Sequence, residues 1–370
     1  MSAAPKTLLA GTASQRQQRV LQRIEEFRRR RPRLTDDVVT LAHGAGGKSS
    51  AALVDAIFIE AFRNAELEQL GDAAVLSLPG GQRLAFGTDA YVVRPLRFPG
   101  GSIGHLAVNG TVNDLAVSGA CPQWLSAAFV IEDGFPITEL REIVADMGEA
   151  AARAGVRIVA GDTKVVGKGA ADGLYICTTG VGVIPDGRAF SAEAVRAGDK
   201  VLVSGAIGAH GMAVMLARGD LAIDADIVSD TAPVNGVVEA LLQAAPATRW
   251  MRDATRGGVA TVCNELVSGA PYALILDEPM LPVPPQVRGA CELLGIDPLY
   301  VANEGKFIAI VAADQADAAV AAMRTVPQGA DATLVGEIVP GPAGIVALRT
   351  SLGGSRIVDT LVGDPLPRIC

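Results

Sequence analysis

The chain has 370 residues, more than one hydrophobic core usually supports, so two domains are the default expectation. Hydrophobic residues make up 49% and charged residues 19%, which suits a compact protein, while aromatics at 4% leave the core to Val, Ile, Leu and Ala. The net charge of −8 argues against nucleic acid as the main partner, and no stretch approaches the roughly 20 apolar residues that span a bilayer.

Residues 1–37 are polar and rich in Arg and Gln, and Val20, Leu21, Ile24 and Phe27 fall at near-helical spacing. A short amphipathic helix and a solvated extension both fit this stretch. Arg28, Arg29, Arg30 and Arg31 form a run, but Pro32, Arg33, Thr35, Asp36 and Asp37 follow instead of an apolar segment, so no export signal is read and a cytoplasmic protein is expected.

From 38 to 188 the pattern is mixed. Strands are expected over 73–78, 84–88, 126–131, 157–160 and 174–183, and helices over 103–118 and 137–154, the second stopped by Gly155. Over 189–350 strands are expected at 200–204, 272–276 and 307–311. Helices are expected at 210–217, 234–243, 257–267, 285–294 and 315–323. Neither block repeats βαβ strictly, so the fold class expected is α+β with two domains, followed by a tail over 351–370. The stretch from Gly363 contains two prolines and reads as extended.

The residues able to do chemistry fall into four groups. Gly44-Ala45-Gly46-Gly47-Lys48-Ser49-Ser50 does not match a phosphate loop. It can wrap phosphates with backbone N–H groups and one ammonium, and it serves equally as a turn before a helix. Asp72, Asp89, Asn113-Asp114, Gly161-Asp162-Thr163 and Asp253 stand at element edges. Singly each fits a cap or turn, whereas together they suit a magnesium–nucleotide site, because magnesium takes hard oxygen ligands. Lys164 and Glu304 are proton-transfer candidates, although a pair of surface charges explains them as simply.

The five cysteines, at 121, 177, 263, 291 and 370, show neither disulfide nor zinc spacing. Cys177 and Cys263 read as small buried hydrophobes. Cys370 differs, because a thiol on a proline-stiffened arm can act as a swinging nucleophilic carrier; an incidental cysteine is the plain alternative.

Several motifs together resemble the HypE family of hydrogenase maturation proteins, within the superfamily of aminoimidazole ribonucleotide (AIR) synthetase and selenophosphate synthetase. They are Leu41-Ala42-His43-Gly44-Ala45-Gly46-Gly47, Phe98-Pro99-Gly100-Gly101, Gly110-Thr111-Val112-Asn113-Asp114-Leu115-Ala116, Gly134-Phe135-Pro136-Ile137, Gly161-Asp162-Thr163-Lys164-Val165-Val166 and Pro367-Arg368-Ile369-Cys370. The resemblance runs from Leu41 to Cys370 and assigns residues 1–37 no role.

The resemblance implies an N-terminal domain that pairs with its copy in a homodimer, a C-terminal domain and a mobile tail. It implies ATP and Mg2+ in the cleft, with Asp72, Asp114 and Asp253 as metal ligands. Lys48, Asp89, Asn113, Gly161, Asp162 and Thr163 are the implied nucleotide contacts. The implied reaction begins with carbamoylation of Cys370 by the carbamoyltransferase HypF. ATP-dependent dehydration to a thiocyanate follows, assisted by Lys164 and Glu304, and the cyanide passes to a HypC–HypD scaffold. Rival readings are a selenophosphate or imidazole-nucleotide synthetase, whose terminal chemistry needs no Cys370, and an ATP-sensing scaffold without turnover.

Overall fold

The computed structural model describes residues 33–219, 225–361 and 369–370. The segment around Val20–Phe27 and most of the stretch after Leu361 lie outside the described residues. A short turn at Leu41–Gly44 leads through the glycine run into α1 (Lys48–Leu53), which continues through Val54–Ile59 and Glu60–Phe62.

The first sheet begins with β1 (Ala74–Ser77) and β2 (Arg83–Tyr91). After the small hairpin of β3 (Arg97–Phe98) and β4 (Gly101–Ser102) come α2 (Ile103–Val117), β5 (Cys121–Glu132), α3 (Ile137–Ala154), β6 (Arg157–Val166) and β7 (Leu174–Ile184). The strand order is β1-β2-β7-β5-β6, antiparallel except for the parallel β5–β6 pair at the far edge. Alternation along β2 turns Ala85, Gly87 and Tyr91 inward and Phe86 and Thr88 outward. Nearly every residue of α2 is buried, as a helix without a polar face must be, because it is sandwiched between this sheet and the second half of the chain. α3 ends where Gly155 takes the left-handed conformation, φ 71°.

The second half carries β8 (Lys200–Val203), α4 (Ala209–Ala217), α5 (Asn235–Ala244), β9 (Thr248–Asp253), α6 (Gly258–Val267), β10 (Ala273–Asp277), α7 (Pro285–Leu294), β11 (Phe307–Val311), α8 (Ala316–Met323), β12 (Thr333–Val339), β13 (Val346–Arg349) and β14 (Ser355–Val358). Its seven strands are ordered β14-β13-β10-β12-β8-β11-β9. All five residues of β11 are buried, and period-2 alternation shares them between two cores. Ile308 and Ile310 pack with Val262 and Leu266 of α6, whereas Phe307, Ala309 and Val311 pack with Leu241 of α5 and Met323 of α8. A third core joins the halves, bringing Leu106 and Ile143 together with Met212, Val287 and the distant Ile369.

Two sequence expectations need correction. Residues 351–370 are not all tail, because Ser355–Val358 pairs antiparallel with β13 and completes the second sheet. Cys177 is exposed, since its place in β7 puts it on the outer face of the first sheet, while Cys263 is buried and its thiol is pushed up to about 12. Among the described residues no helix is long and apolar enough to cross a membrane.

Candidate active site

The two halves meet around a cavity of about 200 Å³ lined by six of the residues singled out in the sequence: Asp72, Asp89, Asp114, Asp253, Glu304 and Cys370. Asp72 precedes β1, Asp89 lies near the end of β2, Asp114 sits in the last turn of α2 and Asp253 closes β9. Glu304 stands in the loop before β11. Ala90, Tyr91, Gly110, Thr255 and Arg256 complete the wall.

Bringing so many carboxylates into a buried space is costly, and their proton affinities record it. Burial, then the charges of Asp253, Asp89 and Asp72, holds Asp114 well above the usual carboxylate range. Its place at the C-terminal end of α2, where the helix dipole is negative, works in the same direction. Asp253 is raised by burial and by Asp72 and Asp89, against the pull of Arg252 and Arg256. Asp72 is raised by burial despite its 2.7 Å ion pair with Arg252.

Glu304 is buried and also raised well above its ordinary value, by burial and by Asp253, Asp230 and Asp89. Its backbone N–H donates to Asp230 Oδ1 at 3.1 Å, yet its Oε1 has no hydrogen-bond partner among the described residues. A buried, unpartnered carboxyl oxygen of raised proton affinity beside a cavity is placed to exchange a proton with whatever enters.

The donor chemistry suits a hard divalent cation, because Asp72, Asp114 and Asp253 offer only oxygens and repel one another without one. Among the described residues no three such side chains are closed on one point, and Asp72 is held by Arg252.

Sequence reasoning missed two wall residues. Tyr91 donates its hydroxyl to Asp89 Oδ2 at 3.3 Å. It reaches that position only because Gly110 of α2 has no side chain; a Cβ there would stand 2.2 Å from the phenol oxygen. Arg256 lies between Cys370 and the glycine run. The charge of Cys370 raises its affinity for its proton more than any other influence, against burial. Arg256 Nη1 donates to Gly44 O at 3.4 Å, and a Cβ on Gly46, φ +73°, would stand 3.0 Å from Arg256 Cβ. The readable signal was the pair Gly257-Gly258 beside Arg256, both at positive φ, marking a tight approach of backbone.

A second cavity, of about 310 Å³, lies under the glycine run and shares Asp72, Asp253, Thr255 and Arg256 with the first. Gly44, Gly46, Ser50, His43, Arg252 and Glu265 also line it. The run therefore roofs the site, but Lys48 itself does not line either cavity and its ammonium pairs with Asp359 at 3.3 Å.

Asn113 is buried, with its amide used between the halves. Nδ2 donates to Ala232 O and Glu304 O, both at 3.1 Å, and Oδ1 accepts from Val234 N–H at 2.8 Å. Cys121 and Cys291 line neither cavity.

The remaining candidates lie elsewhere. Gly161, Asp162, Thr163 and Lys164 are consecutive on β6, the edge strand of the first sheet, and all are exposed. Lys164 Nζ pairs with Asp162 Oδ2 at 2.6 Å, a contact that holds the Asp162 carboxyl below its ordinary range. Gly161 is required by the parallel pairing, since a Cβ there would come within 2.6 Å of Ala127 O.

Comparison with known proteins adds to this geometry. Residues 70–184 match the AIR synthase related protein N-terminal domain, and residues 196–349 match the C-terminal domain. Carbamoyl dehydratase HypE of Rhodobacter capsulatus is 53% identical over 340 residues, covering 91% of this chain and 99% of that protein. Among solved structures, a chain of a HypE–HypF complex is similar with a TM-score of 0.79 and 46% identity, covering 84% of this chain and 100% of that one. The hydrogenase maturation protein HypE in complex with ATP is similar with a TM-score of 0.75 and 44% identity, covering 90% and 100%.

Proposed function

This chain belongs to the HypE family of carbamoyl dehydratases, and from that premise we infer that it converts an S-carbamoyl group on Cys370 into a thiocyanate at the expense of ATP. The product supplies the cyanide ligand of a [NiFe]-hydrogenase iron centre. The observation that carries the reading is Cys370 standing at the cavity wall with Arg256 and the unpartnered oxygen of Glu304.

The chemistry follows from the leaving group. An amide oxygen is a poor leaving group as hydroxide, whereas phosphate leaves readily. The carbamoyl oxygen attacks the γ-phosphorus of ATP, ADP departs, and one N–H proton is released to give a phosphorylated imidate. Loss of the second N–H proton as the C–O bond breaks gives S–C≡N and inorganic phosphate. Glu304 Oε1 is the group in the cavity best placed to take a proton from nitrogen, and Arg256 opposes the charges that raise its pKa. A divalent cation, Mg2+, held by Asp72, Asp114 and Asp253 would supply charge neutralisation at the transferring phosphoryl group. The glycine run and its second cavity suit the rest of the nucleotide, with Asp72, Asp253, Thr255 and Arg256 shared by the two spaces and Asp89 on the wall of the first.

We propose that β6 pairs with β6 of a second copy, making a homodimer through the N-terminal domain at 38–188. Support comes from its ten-residue strand edge, nine residues of which are exposed and carry Ile158, Val159 and Val165 to the surface. The adjoining outer sheet face adds Phe86 and Trp124. Pairing would bring Gly161, Asp162, Thr163 and Lys164 to a neighbour's site, where the Lys164 amine would join the groups that move protons. The partners proposed are HypF as carbamoyl donor and a HypC–HypD scaffold as cyanide acceptor, so the tail must leave the cavity at both ends of the cycle.

The test is intact-protein mass spectrometry with HypF, carbamoyl phosphate and ATP. A carbamoyl-sized gain at Cys370 and an ATP-dependent loss of one water are expected. A gain on any other residue, or no gain at all, overturns the reading.

A further inference from the structure

The chain has three histidines, and His210 has no part in the chemistry above although it is fully buried. It lies in the first turn of α4 and reaches the end of the chain: Nε2 stands 2.6 Å from the carbonyl oxygen of Ile369. A carbonyl only accepts, so Nε2 carries the proton. The neutral ring then offers Nδ1 as an acceptor, and Ser229 Oγ donates to it at 2.8 Å. Ser229 Oγ accepts in turn from the Thr231 N–H at 3.1 Å. Burial lowers the pKa of His210 against the charge of Asp230, which keeps the ring in this neutral form.

The Phe98-Pro99-Gly100-Gly101 segment, which the chemistry leaves unexplained, holds this relay in place. Ser229 N–H donates to Pro99 O at 2.8 Å. A Cβ on Gly100 would stand 2.5 Å from Val228 Cγ1 and 2.9 Å from Ser229 N, and one on Gly101 would stand 2.8 Å from Thr231 Cγ2. Only glycine lets the two segments close on each other. Phe98 meets the His210 ring edge-on, with centroids 5.5 Å apart at 84°. On the tail side, Ile369 is 4% exposed within the core that joins the halves, and the Val92 N–H donates to Cys370 O at 3.3 Å.

We propose that His210, Ser229 and the segment at 98–101 form a seat that grips the penultimate residue by its carbonyl and its aliphatic side chain, and thereby sets the Cys370 thiol in the cavity. The proposal rests on the reading of Cys370 as the carrier. His210 touches Ile369, not the reacting atoms, so it is a positioning residue. Carbamoyl transfer happens with the tail out and does not need the seat; dehydration happens with the tail in and does.

Two measurements on the full-length chain test this. The first is alkylation of Cys370 by a maleimide, read on the C-terminal peptide by mass spectrometry, which needs no enzymatic activity. His210→Ala should raise the rate about tenfold, the factor that one net hydrogen bond corresponds to. His210→Gln, which restores an N–H donor near Nε2, should return it toward wild type. The second is single-turnover dehydration of carbamoylated protein, which His210→Ala should slow by a similar factor with ATP affinity and carbamoyl acceptance unchanged. Should His210→Ala misfold, Ile369→Ala tests the same seat from the tail side. An unchanged alkylation rate in both alanine variants overturns the seat. A raised rate in a protein that never accepts carbamoyl leaves the seat standing and removes the carrier reading instead.

Discussion

Two groups of residues that read as one site in the sequence occupy opposite surroundings in the fold. Asp72, Asp89, Asp114, Asp253, Glu304 and Cys370 come from separate elements and converge on a buried cavity where carboxylates crowd one another. Gly161, Asp162, Thr163 and Lys164 are adjacent in the chain, lie on an unpaired strand edge and face solvent. The first group has its surroundings but more negative charge than Arg252 and Arg256 offset; the second has charge but lacks surroundings. Each lacks what a ligand or a second copy would bring, and the proposed dimer and Mg–ATP supply both.

The most severe way to break this comparison is at Cys370. Cys370→Ser should abolish detectable thiocyanate while ATP still binds, measured by intact mass and by nucleotide titration. Thiocyanate formed at another residue would detach the cavity from the tail.

Next in size is Glu304→Gln, which keeps the shape and removes the base. Dehydration should fall by about 10²–10⁴-fold, the usual worth of a positioned general base, while carbamoyl-protein accumulates. If single-turnover rates are unaltered, the unpartnered oxygen is a structural curiosity and the base lies elsewhere.

Sharpening the edge-strand side needs two chains. Lys164→Ala should slow dehydration in the homodimer, and so should Cys370→Ala by removing the substrate. Mixed dimers of the two variants should recover activity, because the Lys164→Ala protomer still carries Cys370 and receives Lys164 from its partner. Mixing that recovers nothing would mean Lys164 does not act across a dimer.

How much of this could be read in the sequence varies with how local the cause is. The helix at 137–154 is read to the residue, because Gly155 ends it by adopting a conformation that other residues rarely take. The helix Pro285–Leu294 is likewise bounded by prolines and Gly295. β9, β12, β13 and β14 went unread. Arg249 and Arg252 interrupt the apolar signal of Thr248–Asp253, Gly336 breaks Thr333–Val339, and Ser355–Val358 is exposed along most of its length. Those strands exist because β10, β11 and β13 offer them partners.

The site divides in the same way. Acidic residues at element edges announced themselves by composition and position. Arg256 did not, because its surroundings are made by Gly46 and Cys370, which only the tertiary fold brings near. Asn113 was expected at the nucleotide, and in the fold its amide clasps the two halves together.

The smallest expected effect concerns the stability of the metal-free protein. Asp72, Asp114, Asp253 and Glu304 all bind protons more tightly in the fold than free carboxyls do, whose ordinary pKa values are 3.8 for Asp and 4.5 for Glu. Above those values the unfolded chain has released protons that the native state still holds, so stability must fall as pH rises through the raised folded values. Each proton of difference is worth about 1.4 kcal/mol per pH unit. Lowering the pH from about 8 to about 6 should therefore raise the Tm of the nucleotide-free protein by a few degrees. Saturating Mg2+ with a non-hydrolysable ATP analogue should flatten that dependence, because a cation then takes the place of the protons. Asp114→Asn should flatten it without any ligand. A Tm that instead rises with pH in the free protein would mean the carboxylates are compensated within the chain, and that the cavity is not waiting for a cation.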